Sequence, residues 1–214
     1  MIGPTVPDEN ATIANWAEAI AGPGAAPAGG SAAALSGALA AAAVELVAGL
    51  TLARERYAPV HERAAAARQA AGRHRAALLS LAGRDAEAFA GFGRALALPR
   101  GSEAERRVRD EAKAATLRDG AGIQFEVLGE VAGVADLAAE LAEHGLATAL
   151  GDAAAAGFLA AGAARSAYWA VRSNLQDLSG DPAAGSLAAD GLGLLERVEA
   201  AEWRIRRLVN ERIR

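Results

Sequence analysis

Between Pro27 and Thr51 the chain reads PAGGSAAALSGALAAAAVELVAGLT, and this stretch limits the possible folds more than any other. A proline and two glycines form a turn. Ser31 then opens about five helical turns of Ala, Gly, Leu and Val in which Glu45 is the one charge. A helix apolar on every side belongs in a core. Its side chains are so small that a neighbour can approach to backbone contact, as at Gly37/Ala41 and Ala38/Ala42. Residues Ala32–Leu52 are also long enough to span a bilayer. Alanine contributes little transfer energy, however, and a carboxylate past the helix midpoint is costly in lipid, so a central helix of a soluble bundle is the favoured reading.

A core built on such a helix has a burial problem. The apolar fraction is 52%, yet aromatics make up only 4% of the 214 residues, so alanine dominates the interior. At about 25 cal/mol per Å² each methyl buries little. Long, closely packed helices that continue across a subunit interface recover the deficit. The expected architecture is therefore all-α, six or seven helices around the Ala/Gly-rich centre, as an obligate homodimer with residues 1–214 forming a single domain. Net charge is −4 and Lys113 is the sole lysine, so no basic block suggests nucleic acid as a partner. Cysteine is absent, which excludes disulfides and thiol catalysis. The start MIGPTVPDEN lacks a basic segment followed by an apolar run, so the expectation is a cytoplasmic protein with no membrane partner.

Along the chain, a first short helix carries Ile13, Trp16, Ala17 and Ile20 on one face, with Asp8 or Asn10 as its cap. The central helix is expected to run on to Tyr57 and stop near Pro59. Val60 to Leu98 reads as one long helix, bent at Gly72, Gly83 or Gly91, with an apolar stripe of Leu78, Leu81, Ala82, Phe89, Phe92 and Leu96. Ser102 and Glu105 make a capping box for a helix to about Arg118. Asp119-Gly120-Ala121-Gly122 then reads as an interruption. Ile123, Val127, Val131, Val134, Ala138 and Leu141 form a further stripe ending at Gly145. Asp152 opens a second small-residue helix, expected to pack on the first or on a partner subunit. Ser179–Pro182 ends it, and Leu195, Val198, Ile205, Leu208 and Val209 mark the last helix. β-branched alternation is missing, so no strand is expected.

Asp85 stands out chemically because it falls on the stripe of Leu78, Leu81, Phe89 and Phe92. A carboxylate facing a core is either satisfied by a cation such as Arg84, rotated to the edge of the stripe, or tuned for catalysis. Asp152 is in the first place an N-cap. His61, His74 and His144 have no metal-ligand spacing, so no metal site is expected. The loop at residues 22–30 lacks the lysine of a triphosphate-binding loop. The start of the central helix is either a plain turn capped by Ser31 or an anion site built from backbone N–H groups.

These residues resemble the cyclodeaminase/cyclohydrolase family of folate enzymes, related to the cyclodeaminase domain of formiminotransferase-cyclodeaminase and to bacterial methenyltetrahydrofolate cyclohydrolase. Pro27, Gly29, Gly30 and Ser31 match its Pro-Gly-Gly-Gly-Ser turn, and Leu50-Thr51 the end of the helix that follows. Asp85, Ala88 and Phe89 match Asp-x-x-Ala-Phe, and Leu98-Pro99-Arg100 matches Leu-Pro-Lys. More weakly, Gly145 and Asp152 match Gly-Asn…Ser-Asp, and Val171 and Asn174 match Asn-Val-x-x-Asn. Ala28 and Arg100 replace a glycine and a lysine, and Leu146, Gly151 and Ala170 stand where the family has Asn, Ser and Asn.

The resemblance implies an all-helical homodimer acting on a tetrahydrofolate derivative, with no tightly bound cofactor. The reaction would be cyclisation of formimino-folate with loss of ammonia, or hydrolysis of methenyl-folate. Asp85 and Asp152 are the implied catalytic carboxylates. Gly29, Gly30, Ser31, Phe89 and Asn174 are the implied substrate contacts, and Arg100 and Arg109 would hold the folate tail. The three missing polar side chains leave a second reading, a non-catalytic helical dimer that binds a folate-like molecule or acts as a scaffold.

Overall fold

The helix α2, Gly29–Leu52, is the element around which the others are laid in this computed structural model, which describes residues 7, 11–22, 26–178 and 182–213. Three long helices pack on it: α3 (His61–Leu96), α4 (Glu103–His144) and α5 (Leu150–Leu175). The short α1 (Ile13–Ala21) precedes it, and α6 (Pro182–Arg212) closes the bundle against α4 and α5. Short 3-10 segments at Glu55–Val60, Ala147–Ala149 and Gln176–Leu178 join the long helices. Among the described residues there are six α-helices and no strand, as the all-α expectation required.

Small side chains set how closely these helices approach. A Cβ on Gly37 would stand 2.7 Å from Val131 Cγ2 and 3.2 Å from Leu78 Cδ1, so α3 and α4 converge on a position only glycine can fill. On α5, a Cβ on Gly157 would overlap Ile205 of α6. The two small-residue helices α2 and α5 pack on each other, as expected. The segments Gly29–Leu52 and Ala147–Leu178 are both long and apolar enough to cross a membrane, but about half of the most apolar window of each is buried inside the bundle. Glu45 is closed by Arg75 of α3, whose Nε donates to Oε1 at 2.5 Å. The stripe of α6 is inside, with Val198 and Ile205 fully buried.

Several local expectations need correction. The central helix ends at Leu52, not at Tyr57, and Tyr57 and Pro59 lie in a 3-10 turn. That turn has a purpose: Tyr57 Oη accepts from the Ala147 N–H at 3.0 Å, and Thr51 Oγ1 accepts from the Leu146 N–H at 2.9 Å. Both bonds tie down the entrance to α5. No break occurs at residues 119–122; α4 runs through them without interruption. The helix α1 is capped by Thr12, which forms a reciprocal pair with Asn15. Asp8 and Asn10 lie outside the described residues, as do Ser179–Asp181. Of the four apolar positions on α1 only Trp16 is buried, while Ile13 points outward. The Ser102–Glu105 capping box forms as read.

Candidate active site

Asp85 sits in the interior of α3 at 8% exposure, about one turn before Phe89, where the stripe becomes exposed. The expected cation is absent, because Arg84 forms a two-pronged pair with Glu126 instead. Asp85 is held by neutral donors. Ser31 Oγ donates to Oδ2 at 2.8 Å, and Gln124 Nε2 donates to Oδ1 at 2.7 Å. Burial raises the carboxyl above its ordinary value, opposed by the Ser31 hydroxyl, the Gln124 amide and the Ser31 backbone N–H. A buried acid without a counter-ion is the arrangement that brings a carboxyl group toward the range where it can exchange protons.

The start of α2 explains why this acid is there. Its N-cap is Ala28, which has no side chain able to cap. Asp85, reaching over from α3, puts its carboxylate against Ser31 in the first turn, where the helix dipole favours negative charge. Ser31 is thus neither a cap nor a cavity-lining group; it is fully buried behind the carboxylate. Of the two readings of this helix start, plain turn or anion site, the structure shows an anion supplied by the protein itself, the Asp85 carboxylate. Gly30 is the floor of the arrangement, since a Cβ there would overlap both Asp85 Oδ1 and Gln124 Nε2. Close contact, rather than an unusual backbone angle, requires glycine at this position.

Two cavities meet at Asp85. The larger, about 460 Å³, lies between the start of α2 (Gly29, Gly30), Asp85 and Phe89 of α3, Gln124 of α4, and Ser166 to Asn174 of α5. The smaller, about 240 Å³, runs past Phe89 and Phe92 toward Thr116. Asp85, Phe89, Ser173 and Asn174 border both. Beyond Asp85 the α3 stripe therefore leaves the core: Leu78, Leu81 and Ala82 are buried, whereas Phe89 and Leu96 are exposed and Phe92 is half-buried.

The structure brings together Gly29, Gly30, Asp85, Phe89 and Asn174, with Ser31 behind them. It does not bring Asp152 to this place. Asp152 is exposed in the first turn of α5, where Ala149 holds the cap position, at the opposite end of that helix from Asn174. Arg109 Nε donates to the Leu96 carbonyl at 3.2 Å and so closes the end of α3, while Arg100 is exposed in the α3–α4 connection. Among the described residues no group of three or more His, Asp or Glu gathers to hold a metal.

The sequence reading passed over Gln124. Its signal was present: position 124 is 1% exposed and shares a buried face with Leu128, Val131 and Ala135 at helical spacing. A polar residue on such a face has the same meaning as Asp85 on α3, without the charge that draws the eye. Of the three positions where a polar side chain of the resembled pattern is missing, only Ala170 borders the cavity, as does Ala28, which replaces a glycine. Leu146 is buried against Thr51, and Gly151 lies exposed near the start of α5.

Fold and site together define an all-helical protein with a lone buried acid facing a two-part cavity. Residues 12–190 match the formiminotransferase-cyclodeaminase family, and the chain belongs to that family. The fold matches the crystal structure of formiminotetrahydrofolate cyclodeaminase from Thermotoga maritima with a TM-score of 0.81, over 95% of this chain and 98% of that one, at 23% sequence identity. A comparison with functionally curated proteins gives no match.

Proposed function

We propose that this protein is a folate one-carbon enzyme that cyclises formimino-tetrahydrofolate with loss of ammonia or hydrolyses methenyl-tetrahydrofolate. The observation that carries the reading is Asp85, buried without a cation between two cavities. Two cavities meeting at an acid suit a ligand whose two halves join at the reacting carbon. Cationic charge gathers on that carbon in both reactions, and a carboxylate in a low-dielectric wall stabilises it. In the first reaction Asp85 carries a proton toward the departing nitrogen; in the second it orients and deprotonates water. Phe89 offers an exposed ring face for stacking, Gly29 and Asn174 border the ring-binding cavity, and Gly30 and Ser31 keep Asp85 in place. Arg100 and Arg109 are the proposed anchors for the carboxylates of the folate tail. Asp152, remote from the cavity within one chain, drops to a helix-terminal role. No tightly bound cofactor is required.

The same reading includes a homodimer with residues 1–214 as one unit. Leu39, Leu46 and Leu50 of α2 are exposed, as are Phe158, Leu159 and Trp169 of α5, the last at 64%. Ala32 and Ser36, at helical spacing before Leu39, border the cavity, and so do Gly162 and Ser166 between Leu159 and Trp169. A second copy covering this face would close the cavity mouth. A cytoplasmic protein with neither membrane nor nucleic acid as partner belongs to the same reading, supported by a charged Glu45–Arg75 pair between α2 and α3, which lipid would disfavour, and by a net charge of −4.

The test is turnover of both folates by the purified protein. One of the two should be consumed, and Asp85→Asn should lower that rate by about 10²-fold or more, the scale of a positioned acid or base. Tight binding without turnover would leave the non-catalytic reading in its place.

A further inference from the structure

Hydroxyl side chains border the two cavities at Ser36, Ser166 and Ser173 in the larger and at Thr116 and Ser173 in the smaller. All but Ser173 are turned back onto their own helices. Ser36 donates to the Ala32 carbonyl at 2.8 Å, Ser166 to the Gly162 carbonyl at 3.0 Å, and Thr116 to the Lys113 carbonyl at 2.9 Å. Any hydroxyl within a helix has this resting place, on a carbonyl three or four residues back. Ser173, in the last turn of α5, leaves it empty: its hydroxyl makes no hydrogen bond among the described residues, and the residue is exposed. It is also one of the residues bordering both cavities, with Asp85, Phe89 and Asn174. At that junction each oxygen of Asp85 already holds a donor, Phe89 is apolar, and the Asn174 amide lies against Gly120. Ser173 therefore carries the free hydroxyl at the place where the two cavities meet, on α5 while the acid stands on α3.

We propose that Ser173 binds the third heteroatom on the reacting carbon, its hydroxyl accepting from the N–H or O–H which that atom carries. The assignment rests on the folate reading above and gives Asp85 a partner within it. In both reactions the tetrahedral carbon holds two folate nitrogens and one further atom. In cyclisation that atom is the nitrogen of the formimino group. The second folate nitrogen adds to the amidinium carbon, forming a C–N bond and moving the π pair onto the exocyclic nitrogen. A proton passes from the attacking nitrogen to the –NH2 group, whose C–N bond breaks with its electron pair leaving on ammonia. The positive charge stays on the methenyl product. In hydrolysis the third atom is the oxygen of water, which adds to the methenyl carbon and gives a proton to Asp85. One folate C–N bond then breaks with its pair on nitrogen, which takes that proton back. The hydroxyl proton goes to solvent as the formyl C=O forms, so atoms and charge balance. Asp85 handles the proton in transit in each case, and the third atom bears hydrogen throughout the tetrahedral stage. A serine hydroxyl donates as well as accepts and so suits either atom.

Ser173→Ala removes the hydroxyl and breaks no other hydrogen bond, so the bonds that hold Asp85 stay as they are. With the full-length protein, kcat/KM for whichever of formimino- and methenyl-tetrahydrofolate the wild type consumes should fall by about 10-fold, the weight of one hydrogen bond to a group developing charge. Tetrahydrofolate itself has both halves of the ligand and no one-carbon unit, and its Kd should stay within about 3-fold. The midpoint of the pH–rate profile should not move, because Ser173 does not act through the acid. Ser173→Thr returns a hydroxyl to the position and should recover most of the lost rate. An unchanged rate in Ser173→Ala, an equal loss in tetrahydrofolate binding, a shifted pH midpoint or no recovery in Ser173→Thr overturns the assignment. So does a wild-type protein that binds tetrahydrofolate and consumes neither compound. A wild-type protein that neither binds tetrahydrofolate nor consumes either compound removes the folate reading itself, a distinguishable result.

Discussion

Asp85 and Gly30 act as one unit, the carboxylate occupying the space a side chain at position 30 would need. Burial lifts Asp85 above its ordinary value in the folded chain, and unfolding restores that value. Ionised Asp85 thus lowers stability as pH rises through the window between the unfolded and folded values, and the protein gains from this group below that window. Asp85→Asn has no such titration. Its melting temperature relative to wild type should therefore climb between about pH 4 and about pH 7, whatever the fixed offset from the lost charged cap. Thermal scans at both ends check this, and a flat difference would show the carboxyl unperturbed. Gly30→Ala should cost about 1–3 kcal/mol by overpacking and disturb Asp85 and Gln124 together. Gly29→Ala, whose Cβ meets nothing within 4 Å, is the matched control for melting temperature.

At the level of elements, Thr51 and Tyr57 show how α2 reaches across to α5. Thr51 is fully buried, donates to the Val47 carbonyl at 2.8 Å and accepts the Leu146 N–H at 2.9 Å. Thr51→Val keeps the shape but strands that buried N–H, so stability should drop by about 1–3 kcal/mol, measured by denaturant unfolding. A change within error would mean the N–H finds another acceptor. Helix identity and the buried faces of α4 and α6 were legible in the sequence because their apolar spacing is regular. Residues 119–122 were misread because glycine usually marks a break. Gly120 is there because Asn174 lies against it, with Nδ2 3.0 Å from where a Cβ would stand, and the surrounding helix holds its conformation. The outward turn of the α3 stripe at Phe89 could not be read, since exposure there depends on a cavity formed by α5. Asp85 was legible as a charge on an apolar face, and its partners were not, because Ser31 and Gln124 come from distant parts of the chain.

For the whole molecule, the exposed apolar face of α2 and α5 is the feature with the widest reach. Placing a charge at its centre with Leu46→Glu should convert the proposed dimer to monomer, checked by light scattering at micromolar concentration. A wild-type protein already monomeric there would refute the pairing. Ser36 and Ser166, which lie along that same face, border the cavity. Specific activity should consequently depend on how much enzyme is in the cuvette: constant when concentrated, and falling on dilution as subunits part and the site is left open to water. An assay run only at the lowest convenient enzyme concentration would then understate the catalyst, and a lag after dilution or a recovery on reconcentration would register the quaternary structure through kinetics alone.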